Sequence, residues 1–267
     1  MAASSQATHA LVSDRVGKRL IPDETFPVVE IFGPTIQGEG IDQGIPCHFV
    51  RFGGCDYRCD WCDSLHAVLP HLVRRAEKLT AKEIADRVSA LPGARWVILS
   101  GGNPALLKLH RLVELLRSDM GFYVAVETQG TRWKEWLWQV DRVAVSPKPP
   151  SSGERTDPNK LQQFMGMLTN QNAFLKIVIK DQRDLEFARG VHERFPEFQM
   201  FLSACNDAGP TVGNPQRVDE RDDQQVALDL IAQGRKLANW VMADPNLYDV
   251  RVQVQNHVLY WGNQRGR

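Results

Sequence analysis

No apolar run in this chain approaches the about 18 to 20 residues that a membrane span requires. No internal repeat and no low-complexity tract is present either. Charge of one sign is missing: 32 Lys and Arg balance 32 Asp and Glu. There is therefore no basic field to hold nucleic acid and no acidic tail, and a small-molecule substrate is the default. Cysteine is sparse, five in 267 residues, and no apolar leader opens the sequence. That combination argues against a disulfide scaffold and for reduced thiols in a soluble, cytoplasmic protein. The length suits one sizeable domain. The Ala-, Ser- and polar-rich start lacks any sustained apolar period, so residues 1–22 are expected to be a flexible tail and 23–267 the folded unit.

What is present is an alternation of short apolar runs with helical patterns, the arrangement that builds parallel sheets from strand–helix–strand units. Val28 to Ile31, His48 to Phe52, Trp96 to Leu99, Tyr123 to Val126, Val143 to Val145, Phe174 to Ile179, Met200 to Leu202 and Asp249 to Val254 read as strands. Thr80 with Glu83 forms a helix-starting box, Pro104 opens a helix running through Leu116, and Arg183 to Arg194 and Asp222 to Met242 read as helices. Ser146 to Gly153 and Gly209 to Asp223 read as loops. The fold class is α/β, a partial (open) parallel β/α barrel. Chemistry in such sheets gathers at the carboxyl ends of the strands, and the polar segments that follow the strands all fall on one rim.

The first of those segments, Cys55-Asp56-Tyr57-Arg58-Cys59-Asp60-Trp61-Cys62, carries three thiols spaced x3 and x2. Three thiolates can hold three corners of a four-iron, four-sulfur (4Fe-4S) cluster and leave the fourth iron open for a substrate or cofactor. Structural zinc is the main rival. It needs a second C-x2-C knuckle or paired His, and here Cys47 and Cys205 are isolated while His66 and His71 have no such partner. The spacing, with an aromatic residue before the third Cys, resembles that of radical S-adenosylmethionine (SAM) enzymes.

Ser100-Gly101-Gly102-Asn103-Pro104 is either an ordinary turn or a glycine-rich strand end whose free N–H groups receive a carboxylate. It looks like the SAM-contacting motif of that superfamily, with Asn103 where Glu is usual. Glu127 ends an apolar strand, so it is either a solvent-facing carboxylate or an acceptor for the cofactor's ribose or amine. Lys148 lies between two prolines in restrained, extended backbone, as a surface lysine or as a cation near the cofactor.

Longer blocks narrow the resemblance. Glu30 through Gly40, Phe49 through Cys55, Ser146 through Gly153, Val252 through His257 and Trp261 through Gly266 are similar to the 7-carboxy-7-deazaguanine synthase family, and together they span most of residues 26–267. The resemblance implies the cluster on Cys55, Cys59 and Cys62. It implies SAM contacts from Trp61, Cys62, Asp63, Gly102, Asn103, Glu127, Ser146, Pro147, Lys148, Ser203 and Asn206. Substrate contacts would come from Ile36, Gln37, Gly38, Glu39, Arg51, Ser100 and His257, with the C-terminal segment capping the substrate. Ser64, where Thr is common, would hold Mg2+ through a hard hydroxyl oxygen.

The residue types suit that task. A carboxylate or amide pairs with an aminopyrimidinone edge, and Arg grips a carboxylate with two bonds. The implied reaction is ring contraction of 6-carboxy-5,6,7,8-tetrahydropterin to 7-carboxy-7-deazaguanine with loss of ammonia, on the way to queuosine-type deazapurines. A reduced flavodoxin-like electron donor and a homodimer are implied as partners. Two rival readings remain at this stage: an activase acting on a glycyl partner protein, and a non-catalytic iron-sulfur or zinc scaffold.

Overall fold

The structure is a computed structural model that describes residues 24–207, 214 and 219–267. The expected tail over 1–22 and most of the expected loop from Gly209 to Asp223 lie outside the described residues.

Among the described residues, nine strands form one sheet: β1 Thr25–Ile36, β2 Pro46–Phe52, β3 Glu77–Thr80, β4 Trp96–Gly101, β5 Tyr123–Thr128, β6 Arg142–Val145, β7 Ala173–Ile179, β8 Met200–Ala204 and β9 Arg251–Gln253. Their order is β3-β1-β2-β4-β5-β6-β7-β8-β9. From β2 to β9 every neighbouring pair is parallel, whereas β1 runs antiparallel to both β2 and β3. The sheet is open, with β3 and β9 at its two edges, as expected of a partial barrel. The helices are α1 Leu65–Val68, α2 Pro70–Val73, α3 Ala81–Ser89, α4 His110–Glu114, α5 Pro158–Met165, α6 Gln182–Arg194, α7 Asp223–Met242 and α8 Asn256–Trp261.

Strand alternation decides which residues meet which layer, because successive side chains point to opposite faces. Val50, Val97, Leu99, Val124, Val126, Val143, Val145, Leu175, Ile177 and Leu202 belong to one large core shared with Ile84, Leu112 and Leu185 of the helices. The other register of the same strands makes the inner face. Its lower half is apolar, with Cys47, Ile98 and Ala125 in one cluster and Ala144, Phe174 and Phe201 in another. Two residues further along β4, β5, β7 and β8 the same face carries Ser100, Glu127, Lys176 and Ser203, and four beyond Cys47 on β2 it carries Arg51. The polar site is thus the upper half of a face whose lower half is packed.

Local differences from the sequence reading have identifiable causes. The helix expected from Pro104 to Leu116 is broken into a 3-10 turn, Pro104–Leu106, then α4, then a π turn, Leu115–Asp119. Leu107 is extended there, and its carbonyl accepts from the Trp136 indole at 3.0 Å instead of serving a helix. Edge strand β3 and the short helices α1 and α2 have too few residues to show a period. The Thr80–Glu83 capping box at the start of α3 is present in both directions.

Candidate active site

The thiol loop leaves β2 and is braced from three sides. Asp60 N–H donates to the Ser152 carbonyl at 2.8 Å, the Trp61 indole donates to Ser151 Oγ at 2.9 Å, and Gly54 N–H donates to the Ala67 carbonyl at 2.8 Å. Asp56, within the loop, accepts from Asn103 Nδ2 at 3.0 Å, Gln129 Nε2 at 2.6 Å and Thr131 Oγ1 at 2.5 Å. Gln129 Nε2 also reaches Cys55 Sγ at 3.3 Å. Cys55, Cys59 and Cys62 line one cleft together with Ser100, Glu127 and Lys148.

Among the described residues, no three His, Cys, Asp or Glu side chains converge to hold a single metal ion. Three thiols lining one cleft can hold three corners of a multi-iron cluster. Burial pushes the Cys59 thiol up to about 11 and Cys62 up to about 12, while nearby Lys148 opposes this at Cys55 and Cys59. Bound iron would supply the positive charge these thiolates need.

Gly101 and Gly102 are glycines for a reason of packing. A Cβ on Gly101 would stand 2.0 Å from the Phe52 carbonyl oxygen, and one on Gly102 would stand 2.1 Å from that of Gly54. The N–H groups expected to be free for a carboxylate are already used: Gly102 N–H donates to Phe52 O at 3.0 Å and Asn103 N–H to Gly54 O at 2.8 Å. Asn103 is 1% exposed and turned inward, joining Asp56, Thr131, Thr128 and Ala105. The strand end is therefore welded backbone to backbone against the cysteine loop. Lys148 Nζ donates to Ser146 Oγ at 2.8 Å, Pro147 is buried between them, and Lys148 N–H is held by Thr156.

Opposite the thiols lies a polar floor. Lys176 Nζ donates to Glu39 Oε2 at 2.8 Å and stands 3.6 Å from Glu127 Oε1. Ser203 Oγ donates to Glu39 Oε1 at 2.7 Å, and Ser100 Oγ donates to Glu127 Oε2 at 2.7 Å. Gln37 Nε2 reaches Glu127 Oε1 at 3.4 Å. Burial by itself would raise the Glu39 carboxyl, but the Lys176 ammonium and the Ser203 hydrogen bond outweigh it and hold the group at about 2. Ile36, paired with Pro46 at the end of β1, leads into this segment. His257 backs it: a Cβ on Gly38 would collide with the imidazole, and Asn256 N–H donates to Gly38 O at 3.1 Å.

Arg51 stands to one side. Its guanidinium donates to Glu30 Oε1 and, through Nη1, to Ser64 Oγ at 2.9 Å. Burial would raise Glu30, yet His66, Arg51 and Arg265 draw it down to about 2. Trp61, Asp63 and Ser64 line the same cleft as Arg51, as does Asn206, which bonds Asn263 at 2.8 Å.

The structure thus gathers most of the implied cluster, SAM and substrate residues around one cleft, with Asn103 behind its wall and Ile36, opposite Pro46 at the start of β2, at the other end of the sheet. Lys176 and Gln129 were missed from sequence. A lysine inside the apolar run Ala173–Ile179 was the available signal for the first; nothing local marked the second.

An open parallel sheet with a three-thiol loop after its first parallel strand and a glycine-rich end on the next defines a radical SAM enzyme. The family model described as the radical SAM superfamily matches residues 49–148. The chain belongs to the 7-carboxy-7-deazaguanine synthase family. It is 40% identical over 248 residues to the Bacillus subtilis protein of that name, covering 90% of this chain and 98% of that one. The Bacillus cereus relative is 38% identical over 243 residues with the same shares. Among solved structures, QueE from Escherichia coli shares the fold, with a TM-score of 0.56, 22% identity and coverage of 86% of this chain and 94% of that chain.

Proposed function

We propose that this chain converts 6-carboxy-5,6,7,8-tetrahydropterin to 7-carboxy-7-deazaguanine with release of ammonia, in 7-deazapurine biosynthesis of the queuosine type. The observation that carries this reading is the acceptor-rich floor of Glu39 and Glu127 facing the thiol loop across one cleft, in a chain of this family. When bound, the cluster and SAM supply the one-electron chemistry that removes and returns a hydrogen atom.

Cys55, Cys59 and Cys62 would hold the cluster. The carbonyls of the Gly101–Gly102 segment, Ser146 and Lys148, with Trp61, Asp63, Ser203 and Asn206, would line the SAM side. Glu39, ionised by Lys176, accepts from the substrate's ring N–H and amino groups. Arg51, aimed by Glu30, meets the substrate carboxylate with the donors that Glu30 and Ser64 leave free. The segment around His257 closes over the pterin and excludes water. Ser64 Oγ has one lone pair beyond its Arg51 bond. It would hold magnesium together with substrate and water oxygens, in keeping with that ion's preference for partial hydration. A reduced flavodoxin-like donor, a homodimeric state and a cytoplasmic setting complete the proposal.

The test is an anaerobic assay of reconstituted protein with the carboxypterin, SAM, magnesium and dithionite. Formation of 7-carboxy-7-deazaguanine supports the reading. SAM cleavage without that product would assign the radical chemistry to another substrate, such as a glycyl partner protein. Zinc without visible absorbance would point to a scaffold.

A further inference from the structure

Lys176 stands at the centre of the floor, and it is not itself among the substrate or SAM contacts assigned above. It lies on the inner face of β7 between Phe174 and Val178, with its side chain 10% exposed. A buried ammonium is tolerated only against paired charge, and this one has two carboxylates from different elements: Glu39 from the segment after β1 and Glu127 from β5. The Ser203, Ser100 and Gln37 hydrogen bonds take up further lone pairs of the same carboxylates. The other titratable groups facing the trio are Asp63 of the thiol loop, Cys47 of β2 and His257 of α8.

We propose that Lys176 is a positioning and specificity residue: it holds Glu39 and Glu127 at fixed separation and keeps Glu39 ionised, so that Glu39 offers only acceptors to a ligand. This inference rests on the reading of Glu39 as a substrate contact. The chemical consequence follows from the donor inventory. An ionised carboxylate matches an edge carrying adjacent N–H donors, as an aminopyrimidinone does, whereas a protonated carboxyl offers one donor and one acceptor and matches a different edge. The low value of Glu39 and the upward shift of Lys176, which its two carboxylates produce against the pull of burial, agree with this arrangement.

The experiment uses cluster-loaded protein with SAM and the stable probe 6-carboxypterin, titrated calorimetrically between about pH 6 and 8.5. Wild type should bind with little pH dependence from this floor. Lys176→Met should bind at least about tenfold more weakly at the low end and recover as pH rises, because burial without the cation raises the Glu39 carboxyl into that range. Lys176→Arg, which keeps a cation, should restore the flat profile. A flat profile in Lys176→Met, at any affinity, would overturn the inference.

A ligand-free arm separates this outcome from failure of the functional reading. Thermal midpoints of Lys176→Met and of Lys176→Met/Glu39→Gln are compared, and the double variant should recover stability because one unpaired charge is gone. If the double variant is as unstable as the single, Lys176 is not there to balance the carboxylates. If wild type fails to bind 6-carboxypterin while the midpoints behave as expected, the substrate assignment fails and the charge role of Lys176 stands.

Discussion

At the scale of single residues, the site is governed by close approach and by thiol chemistry. Gly102 is held so near the Gly54 carbonyl that a methyl group would stand 2.1 Å from it, and backbone atoms cannot swing away as a side chain would. Gly102→Ala should therefore shift the strand end against the loop that carries Cys55. Overpacking of this kind costs about 1 to 3 kcal/mol, occasionally more. Iron content per chain and the urea midpoint should fall together, and an unchanged iron content would show that the loop accommodates the methyl. Replacing Cys55, Cys59 or Cys62 by Ala should abolish cluster assembly. Cys47→Ala and Cys205→Ala should keep it, since Cys47 is packed with Ile98 and Ala125 below the site. Cys205 lines the cleft, which makes its variant the more demanding test; a requirement for it would redraw the ligand set.

At the scale of elements, the thiol loop depends on a helix that contains none of its residues. Asp184 in the first turn of α6 is fully buried and accepts from Ser151 N–H and Lys180 N–H, each at 2.9 Å. Ser151 Oγ in turn receives the Trp61 indole. Asp184→Ala leaves two amides without partners, at about 1 to 3 kcal/mol for each buried group, and releases the segment on which Trp61 rests. A lower urea midpoint together with weaker SAM binding is expected. Asp184→Asn keeps a single acceptor oxygen and should fall between, and SAM affinity equal to wild type in the Ala variant would disconnect α6 from the site. Such couplings explain how far the sequence could be read. The parallel strands were legible as short apolar runs between helical patterns, because strands covered on both faces are apolar nearly throughout, and the thiol spacing stood out by itself. The floor was legible only in part. Glu39 and Glu127 are 88 positions apart by their numbers, and only the sheet order reveals that one lysine on β7 joins them. Arg51 and Glu30 face each other through the β1–β2 register, which no local pattern states. Of the two reasons expected for the glycine pair, close backbone approach is present and free N–H groups are not, since spacing does not tell whether an N–H is free or already bonded to a neighbouring strand.

At the scale of the whole molecule, the charge balance of the chain conceals buried groups of opposite behaviour, and these set a pH window for folding. Glu30 and Glu39 are held at about 2 against an ordinary value of 4.5. A depressed carboxylate contributes stability that is present above its unfolded value and is lost as pH falls through the folded one. Acid should therefore weaken the protein from 4.5 down toward 2. The cluster-free thiols act in the other direction. Cys62 is raised by burial from 9.0 to about 12 and Cys59 to about 11. The unfolded chain then releases protons that the folded one retains, and stability declines as pH rises above 9.0. Lys176, raised by its two carboxylates, adds stability that persists to still higher pH. The urea midpoint of cluster-free protein should accordingly form a plateau between these limits. Glu39→Gln should lower the plateau, because Lys176 loses its nearer partner, and should make the acid limb shallower, because one titrating group is removed. Replacing Cys62 by Ser should make the alkaline limb shallower and leave the acid limb unchanged. Equal slopes in all three proteins would show that these buried groups do not set the window.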